Sequence, residues 1–192
     1  MFNWFRKPQM DPLSVSMTGA KLGDQLLLVG CSDPMLIAAL AGKTGLTGRA
    51  CAIDESADRA EEAARVAMRE GVLIETASAP LHSLPFETAS FNLAVLRDIV
   101  SAPDDERQLA VLREVVRVVR PGGRCMAING TASPARGLGA LFGSKSQIEE
   151  SPAAKAIADA VRRAGFVAVR TLAERDGLIF VEGARREASA RT

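Results

Sequence analysis

Residues 26–34 read Leu-Leu-Leu-Val-Gly-Cys-Ser-Asp-Pro. Four apolar residues in a row suit a strand buried on both faces, as in a parallel sheet covered by helices. The run stops at Gly30, and Asp33-Pro34 then starts a helix. Asp is a favoured N-cap, and proline at the first helical position sacrifices no hydrogen bond. A buried strand that turns at once into a helix is the first half of a βαβ unit. In open α/β sheets, ligands bind outside the carboxyl ends of such strands.

The rest of the chain repeats this alternation. Strands are expected at Gln25–Val29, Arg49–Ile53 (ending at Asp54), Val72–Thr76, Phe91–Leu96 and Arg124–Ile128. Helices are expected from Asp33 to about Gly42, from Ser56 to about Glu70, from about Asp104 to the Pro121-Gly122-Gly123 turn, and over about Pro152–Ala164. The last two strands, Phe166–Leu172 and Gly177–Glu182, are joined by only a few residues. They must form a hairpin, because a parallel crossover needs a dozen or more. The expected fold is therefore α/β: a Rossmann-like, seven-stranded, mostly parallel sheet with an antiparallel last strand and helices on both faces. Residues 1–20 read as an N-terminal extension, 21–183 as the domain and 184–192 as a polar, disordered tail. The stretch 130–150, rich in Gly, Ser and Ala with Leu138, Leu141 and Phe142, reads as a loop or short helix over the sheet edge.

Composition excludes several function classes. The chain has 192 residues, a net charge of +1, no tyrosine and a single histidine. That leaves no basic stripe or stacking platform for nucleic acid, and no histidine-based zinc site. Cys31, Cys51 and Cys125 have no ligand spacing and read as reduced thiols of a cytoplasmic protein. No run reaches the roughly 18 apolar residues of a membrane span. The Phe2, Trp4 and Phe5 cluster leaves peripheral membrane contact open beside simple packing.

The chemistry-bearing candidates lie at the carboxyl ends of the strands. They are Gly30, Cys31, Ser32 and Asp33 after the first strand and Asp54 with Glu55 after the second. Pro80, Leu81 and His82 follow the third, Arg97 and Asp98 the fourth, and Asn129 with Thr131 the fifth. Asp54 follows Gly30 by 24 positions, and a strand-end acid there can accept the ribose hydroxyls of an adenosine. His82 and Asp98 are the candidate bases. Arg113, Arg117 and Arg120 fall about one turn apart and read as a solvated helix face.

Three stretches resemble the class I S-adenosylmethionine-dependent methyltransferases, in particular the ubiquinone and menaquinone biosynthesis group. Leu26–Pro34 stands where that family has its glycine motif. Leu84-Pro85-Phe86 with Ser90-Phe91-Asn92 is similar to its Leu-Pro-Phe and Ser-Phe-Asp pattern. Leu112-Arg113-Glu114-Val115-Val116-Arg117-Val118-Val119-Arg120-Pro121-Gly122-Gly123-Arg124 is similar to the helix and turn before the fifth strand. The resemblance covers about residues 20–183. It implies S-adenosylmethionine as cofactor, held by Gly30, Cys31, Ser32, Asp54, Glu55, Pro80, Leu81 and Arg97, and methyl transfer to a small-molecule or lipid-like, apolar acceptor.

The motif itself is altered. Leu28 replaces the acid that assists the methionine ammonium group, and Ser32 and Pro34 replace the second and third glycines. Pro80 replaces an acid near the adenine, and Asn92 an Asp. A non-catalytic binding or partner protein with a degenerate pocket is therefore the alternative reading. A nicotinamide-dependent dehydrogenase is disfavoured, because its glycine fingerprint is missing at Ser32 and Met35.

Overall fold

The computed structural model describes residues 12–100, 106–131 and 150–187. Seven strands form one sheet: β1 (Gln25–Val29), β2 (Arg49–Asp54), β3 (Glu75–Ser78), β4 (Phe91–Arg97), β5 (Val119–Gly130), β6 (Val167–Arg175) and β7 (Leu178–Ala184), in the order β3-β2-β1-β4-β5-β7-β6. Strands β1 to β5 are parallel, and β7 runs antiparallel between β5 and β6. The expected architecture is the observed one. Reversal of strand order beside β1 creates the crevice where ligands of such sheets lie.

Helices α1 (Pro12–Thr18), α2 (Pro34–Thr44) and α3 (Ala57–Arg69) precede β4, whereas α4 (Glu106–Val118) and α5 (Pro152–Ala164) come later. Strand alternation divides the core into two layers. Leu27, Val29, Ala94, Leu96, Cys125 and Ala127 pack with Leu112 and Val115 of α4 and Ile157 and Val161 of α5. On the other face Leu26, Leu28, Leu93, Val95, Met126 and Ile128 pack with Val15 of α1 and Leu36, Ile37 and Leu40 of α2. The alanine-lined α3 meets α2 through Ala38, Val66 and Ala67.

The helix starts follow their caps. The Asp33 side chain accepts the Leu36 N–H at 3.0 Å, Ser56 that of Arg59 at 3.4 Å, and Ser151 that of Ala154 at 3.1 Å. Asn92 ties two strand starts together: its Oδ1 accepts the Gln25 N–H at 2.5 Å and its Nδ2 donates to Asp24 at 2.7 Å.

Several boundaries differ from expectation, among them those of the third strand, the first expected helix and the fifth strand. The third strand begins at Glu75, not Val72. Val72 N–H closes the end of α3 on the Ala67 carbonyl, so Val72 and Ile74 spend their apolar side chains beside α2 and Leu73 is left exposed. The α2 helix runs two residues past Gly42, to Thr44. Pro121-Gly122-Gly123 does not lie outside the strand. It sits within β5, as an irregularity between the Phe91–Val119 and Leu93–Arg124 pairings, with Gly122 at φ +75°. Gly122 N–H donates to Arg185 O, and Arg185 N–H returns a bond to Gly123 O, so this segment has hydrogen-bond partners that a free turn lacks. Leu138, Leu141, Phe142, Asp104, the Met1–Pro8 segment and the last five residues of the expected polar tail lie outside the described residues.

Candidate functional site

Gly30 holds the junction of β1 and α2. Its φ is +88°, and a Cβ there would stand 2.6 Å from the Arg97 carbonyl oxygen and 2.9 Å from the Ile99 side chain. Only glycine fits so close an approach of two chain segments with that backbone angle. Loop and β4 end are thus pressed together, and Gly30 N–H is bonded to Ile53 O of β2 at 2.9 Å.

Asp54, at the end of β2, is 3% exposed and joins this loop. Its Oδ2 accepts the Cys31 N–H at 2.7 Å. Its Oδ1 accepts the Ser56 N–H at 2.8 Å and Arg59 Nε at 3.0 Å. Each carboxylate oxygen accommodates about two donors. Oδ1 is therefore filled by the protein, and Oδ2 keeps room for one more. Arg59 was not among the residues singled out from sequence; it sits one helical turn past the acid, facing back. The neighbouring Cys31 thiol is pushed up to about 12 by burial and by the Asp54 charge, so it is a packed thiol rather than a nucleophile.

Beyond Asp54 the chain builds a second ion pair. Glu55 Oε2 meets Arg107 Nη2 of α4 at 2.5 Å, and its Oε1 accepts the Leu81 N–H at 3.4 Å. The Arg107 bond, then the Leu81 N–H, hold the Glu55 carboxyl below its usual range, and the charge of His82 pulls the same way. Leu81 is buried, whereas Pro80 and His82 are exposed on the loop after β3. That loop is clasped from α4 by Arg117, which donates to Leu84 O at 3.0 Å, Phe86 O at 2.8 Å and Glu114 at 2.8 Å. Glu114 in turn accepts the Leu84 N–H at 2.9 Å. Arg117 therefore departs from the solvated helix face expected of it, while Arg113 and Arg120 are exposed. The pairing of Glu and Arg three positions apart was the available signal for this clasp.

At the end of β4, Asp98 has φ +54°, an uncommon angle for a residue with a Cβ. Its carboxylate accepts Gly130 N–H at 2.8 Å and Arg97 Nη1 at 3.0 Å, with Ser32 Oγ at 3.5 Å. The structure thus gathers Gly30, Ser32, Arg97 and Asp98 at one point and Cys31 with Asp54 beside it. Glu55, Leu81 and His82 stand further along the same edge. No described contact joins His82 to Gly30, Ser32 or Asp98.

A family model described as a methyltransferase domain matches residues 26–123, just over half of the chain. The chain belongs to the class I S-adenosylmethionine-dependent methyltransferase family. It is 30% identical over 123 residues to the chloroplastic 2-phytyl-1,4-beta-naphthoquinone methyltransferase of Arabidopsis thaliana, covering 58% of this chain and 44% of that protein. The chain spans less than half the length of the curated relatives it matches. In structure it resembles an S-adenosylmethionine-dependent methyltransferase from Aquifex aeolicus, with a TM-score of 0.71 and 17% identity over 91% of this chain and 94% of that one. It also resembles the [4+2]-cyclase SpnF, with a TM-score of 0.68 and 16% identity over 92% and 79% of the two chains. Likeness at that identity is likeness of fold, and the fold by itself names no reaction.

The family's cofactor is S-adenosylmethionine, and the residues present fit it unevenly. On the ribose side Asp54 stands at the strand end with free acceptor capacity on Oδ2. On the methionine side Leu28 is buried in the core and offers an ammonium group nothing. The acids left near the loop are Asp33, whose Oδ1 caps α2, and Asp98. Pro34 contributes no N–H to a carboxylate at this helix start. Asp54 thus offers an open acceptor position on Oδ2, and Asp33, Ser32 and Asp98 are the polar side chains beside the loop. Among the described residues no group of His, Cys, Asp and Glu is placed to hold a metal ion, and no helix is long and apolar enough to cross a membrane.

Proposed function

We propose that this chain transfers the methyl group of S-adenosylmethionine to a small, apolar acceptor. The observation that carries the reading is the bond from Cys31 N–H to Asp54 Oδ2 at 2.7 Å, which fastens the ribose-side acid to the glycine loop. When bound, the cofactor supplies a sulfonium methyl group, whose in-line displacement depends mainly on positioning. Gly30 lets the loop approach the β4 end, Asp54 receives a ribose hydroxyl on Oδ2, and Leu81 walls the base side. Cys31, Ser32, Glu55, Pro80 and Arg97 line the remaining edge. Asp98 is the acid nearest the reacting end, where it orders Ser32, Arg97 and Gly130. His82 stands on the base side, away from it, so Asp98 is the better placed of the two candidate bases. The acceptor class rests on the name of the Arabidopsis relative, a quinone methyltransferase. Unpaired, buried Cys31, Cys51 and Cys125 suit a reducing, cytoplasmic setting.

A second reading has specific support. Asp54 already accepts three donors from Cys31, Ser56 and Arg59, and Glu55 is taken up by Arg107, so both acids have protein partners without a ligand. A partner subunit with a vestigial pocket would have this pattern. Incubation with methyl-labelled S-adenosylmethionine and a small-molecule extract separates the two. Label in an extracted product is expected; its absence, with an active relative as control, overturns the catalytic reading.

A further inference from the structure

The carboxyl edge holds one polar atom that the site described above does not use. Asn129, near the end of β5, is 5% exposed, and its Oδ1 has no hydrogen-bond donor among the described residues. The amide cannot be turned to cure this. Its Nδ2 donates to the carbonyl oxygen of Val100, a residue that is 1% exposed, and a flip would set two acceptors face to face. Oδ1 is therefore an acceptor fixed in direction. A buried acceptor left alone carries an uncompensated desolvation cost, so it marks a place where a donor belongs.

Neighbouring bonds hold this acceptor rigidly. Asp98 N–H donates to Ile128 O at 2.9 Å, and the Asp98 carboxylate takes the Gly130 N–H at 2.8 Å, so the residues on both sides of Asn129 are pinned to the β4 end. The same carboxylate faces Ser32 of the loop after β1. Asn129 thus shares one end of the sheet with the cofactor loop but stands two strands away from it, across β4. The cofactor candidates Gly30, Asp54 and Leu81 all lie on the other side of β4. Strand alternation puts Asn129 on the face of Cys125 and Ala127, the apolar layer that includes Val100 and Ile99.

We infer that Asn129 is a specificity residue of the acceptor site: its Oδ1 receives the hydroxyl hydrogen of a neutral, otherwise apolar acceptor molecule. Neutrality follows from the surroundings. Among the described residues the acid beside it, Asp98, has Oδ1 engaged by Arg97 and Gly130 and Oδ2 turned toward Ser32 of the loop after β1, and Val100 and Ile99 offer a charged group no partner. The inference rests on the methyl-transfer reading and adds to it which feature of the acceptor is read. A site built around a hydrogen-bond acceptor discriminates strongly against an analogue lacking the donor, because its own polar group is then stranded.

The test uses 1-naphthol and its methyl ether as probes, titrated calorimetrically into the full chain with saturating S-adenosylhomocysteine. Naphthol should bind at least about tenfold more tightly than the ether. In Asn129→Leu the two should bind within about twofold of one another, with S-adenosylhomocysteine affinity unchanged. Equal binding of the pair to the wild type, no binding of either at millimolar concentration, or a preference that survives in Asn129→Leu overturns the inference. Should that variant fail to fold, Asn129→Ser and the wild-type pair decide. Failure of S-adenosylhomocysteine itself to bind counts against the methyl-transfer reading instead, and the naphthol and ether are then compared without it.

Discussion

At the scale of single residues, the site is built from positions where one atom decides the outcome. Gly30 is the clearest. A methyl group there meets the Arg97 carbonyl oxygen at 2.6 Å on a backbone with φ +88°. Gly30→Ala should therefore destabilise the chain by about 2–4 kcal/mol, combining backbone strain with a displaced β4 end. Urea unfolding followed by circular dichroism measures it, and a loss under about 0.5 kcal/mol would mean the loop has room to spare. Gly30 and Asp54 were legible from sequence, because a strand end and a strand-end acid have fixed meanings in this kind of sheet. Arg59 and Arg107, which satisfy the acids Asp54 and Glu55, were not. Their spacing from those acids is set by where α3 and α4 start relative to the strand ends, which the acids' own positions in the sequence do not give.

At the scale of elements, Arg117 does most to place the loop after β3. Two carbonyls of that loop and the Glu114 carboxylate of α4 converge on its guanidinium, and the loop carries Leu81. Arg117→Met keeps the apolar stem, strands the Leu84 and Phe86 carbonyls and leaves Glu114 half-buried without its partner. The expected cost is about 2 kcal/mol, between the values for exposed and buried ion pairs. Limited proteolysis should then cut within residues 79–90 under conditions where the wild-type loop is intact. Unchanged cleavage would show that the loop is held by Leu84 and the Phe86–Phe91 ring contact at 5.1 Å alone.

The regular spacing of Arg113, Arg117 and Arg120 hid this role, since periodicity reports which face a residue is on but not what a loop 30 positions earlier in the chain brings to it. The Pro121-Gly123 segment misled in a similar way. Proline and glycine signal a break locally, but Gly122 N–H donating to Arg185 O and Arg185 N–H donating to Gly123 O keep the ladder going. Val72 to Ile74 reads as a strand on composition, and the actual β3 begins where pairing with Cys51 of β2 begins, at Glu75.

For the molecule as a whole, architecture was the most legible level. Five strand signals, most of them separated by helices, admit few arrangements, and the short link between β6 and β7 required the antiparallel end. Stability against acid also belongs to this scale. The Arg117 bond to Glu114, then the Leu84 N–H, hold the Glu114 carboxyl below its usual value of 4.5 in the folded chain. The unfolded chain thus takes up the proton first as pH falls. This contribution is complete at neutral pH and is lost as pH drops below about 4.5, through the lowered folded value. Glu114→Gln should be less stable than wild type at pH 7, and the gap should narrow between pH 5 and 3 in urea titrations. A gap independent of pH would assign the loss to packing.

In the proposed function, a methyltransferase scaffold with an altered methionine side holds its cofactor through Asp54. Isothermal titration of S-adenosylhomocysteine into the full chain tests it directly, with Asp54→Asn as the paired control. Saturable binding to the wild type is expected, weakened at least about tenfold in Asp54→Asn through loss of a charged acceptor. No binding to the wild type at millimolar ligand, or equal binding to both proteins, would contradict it.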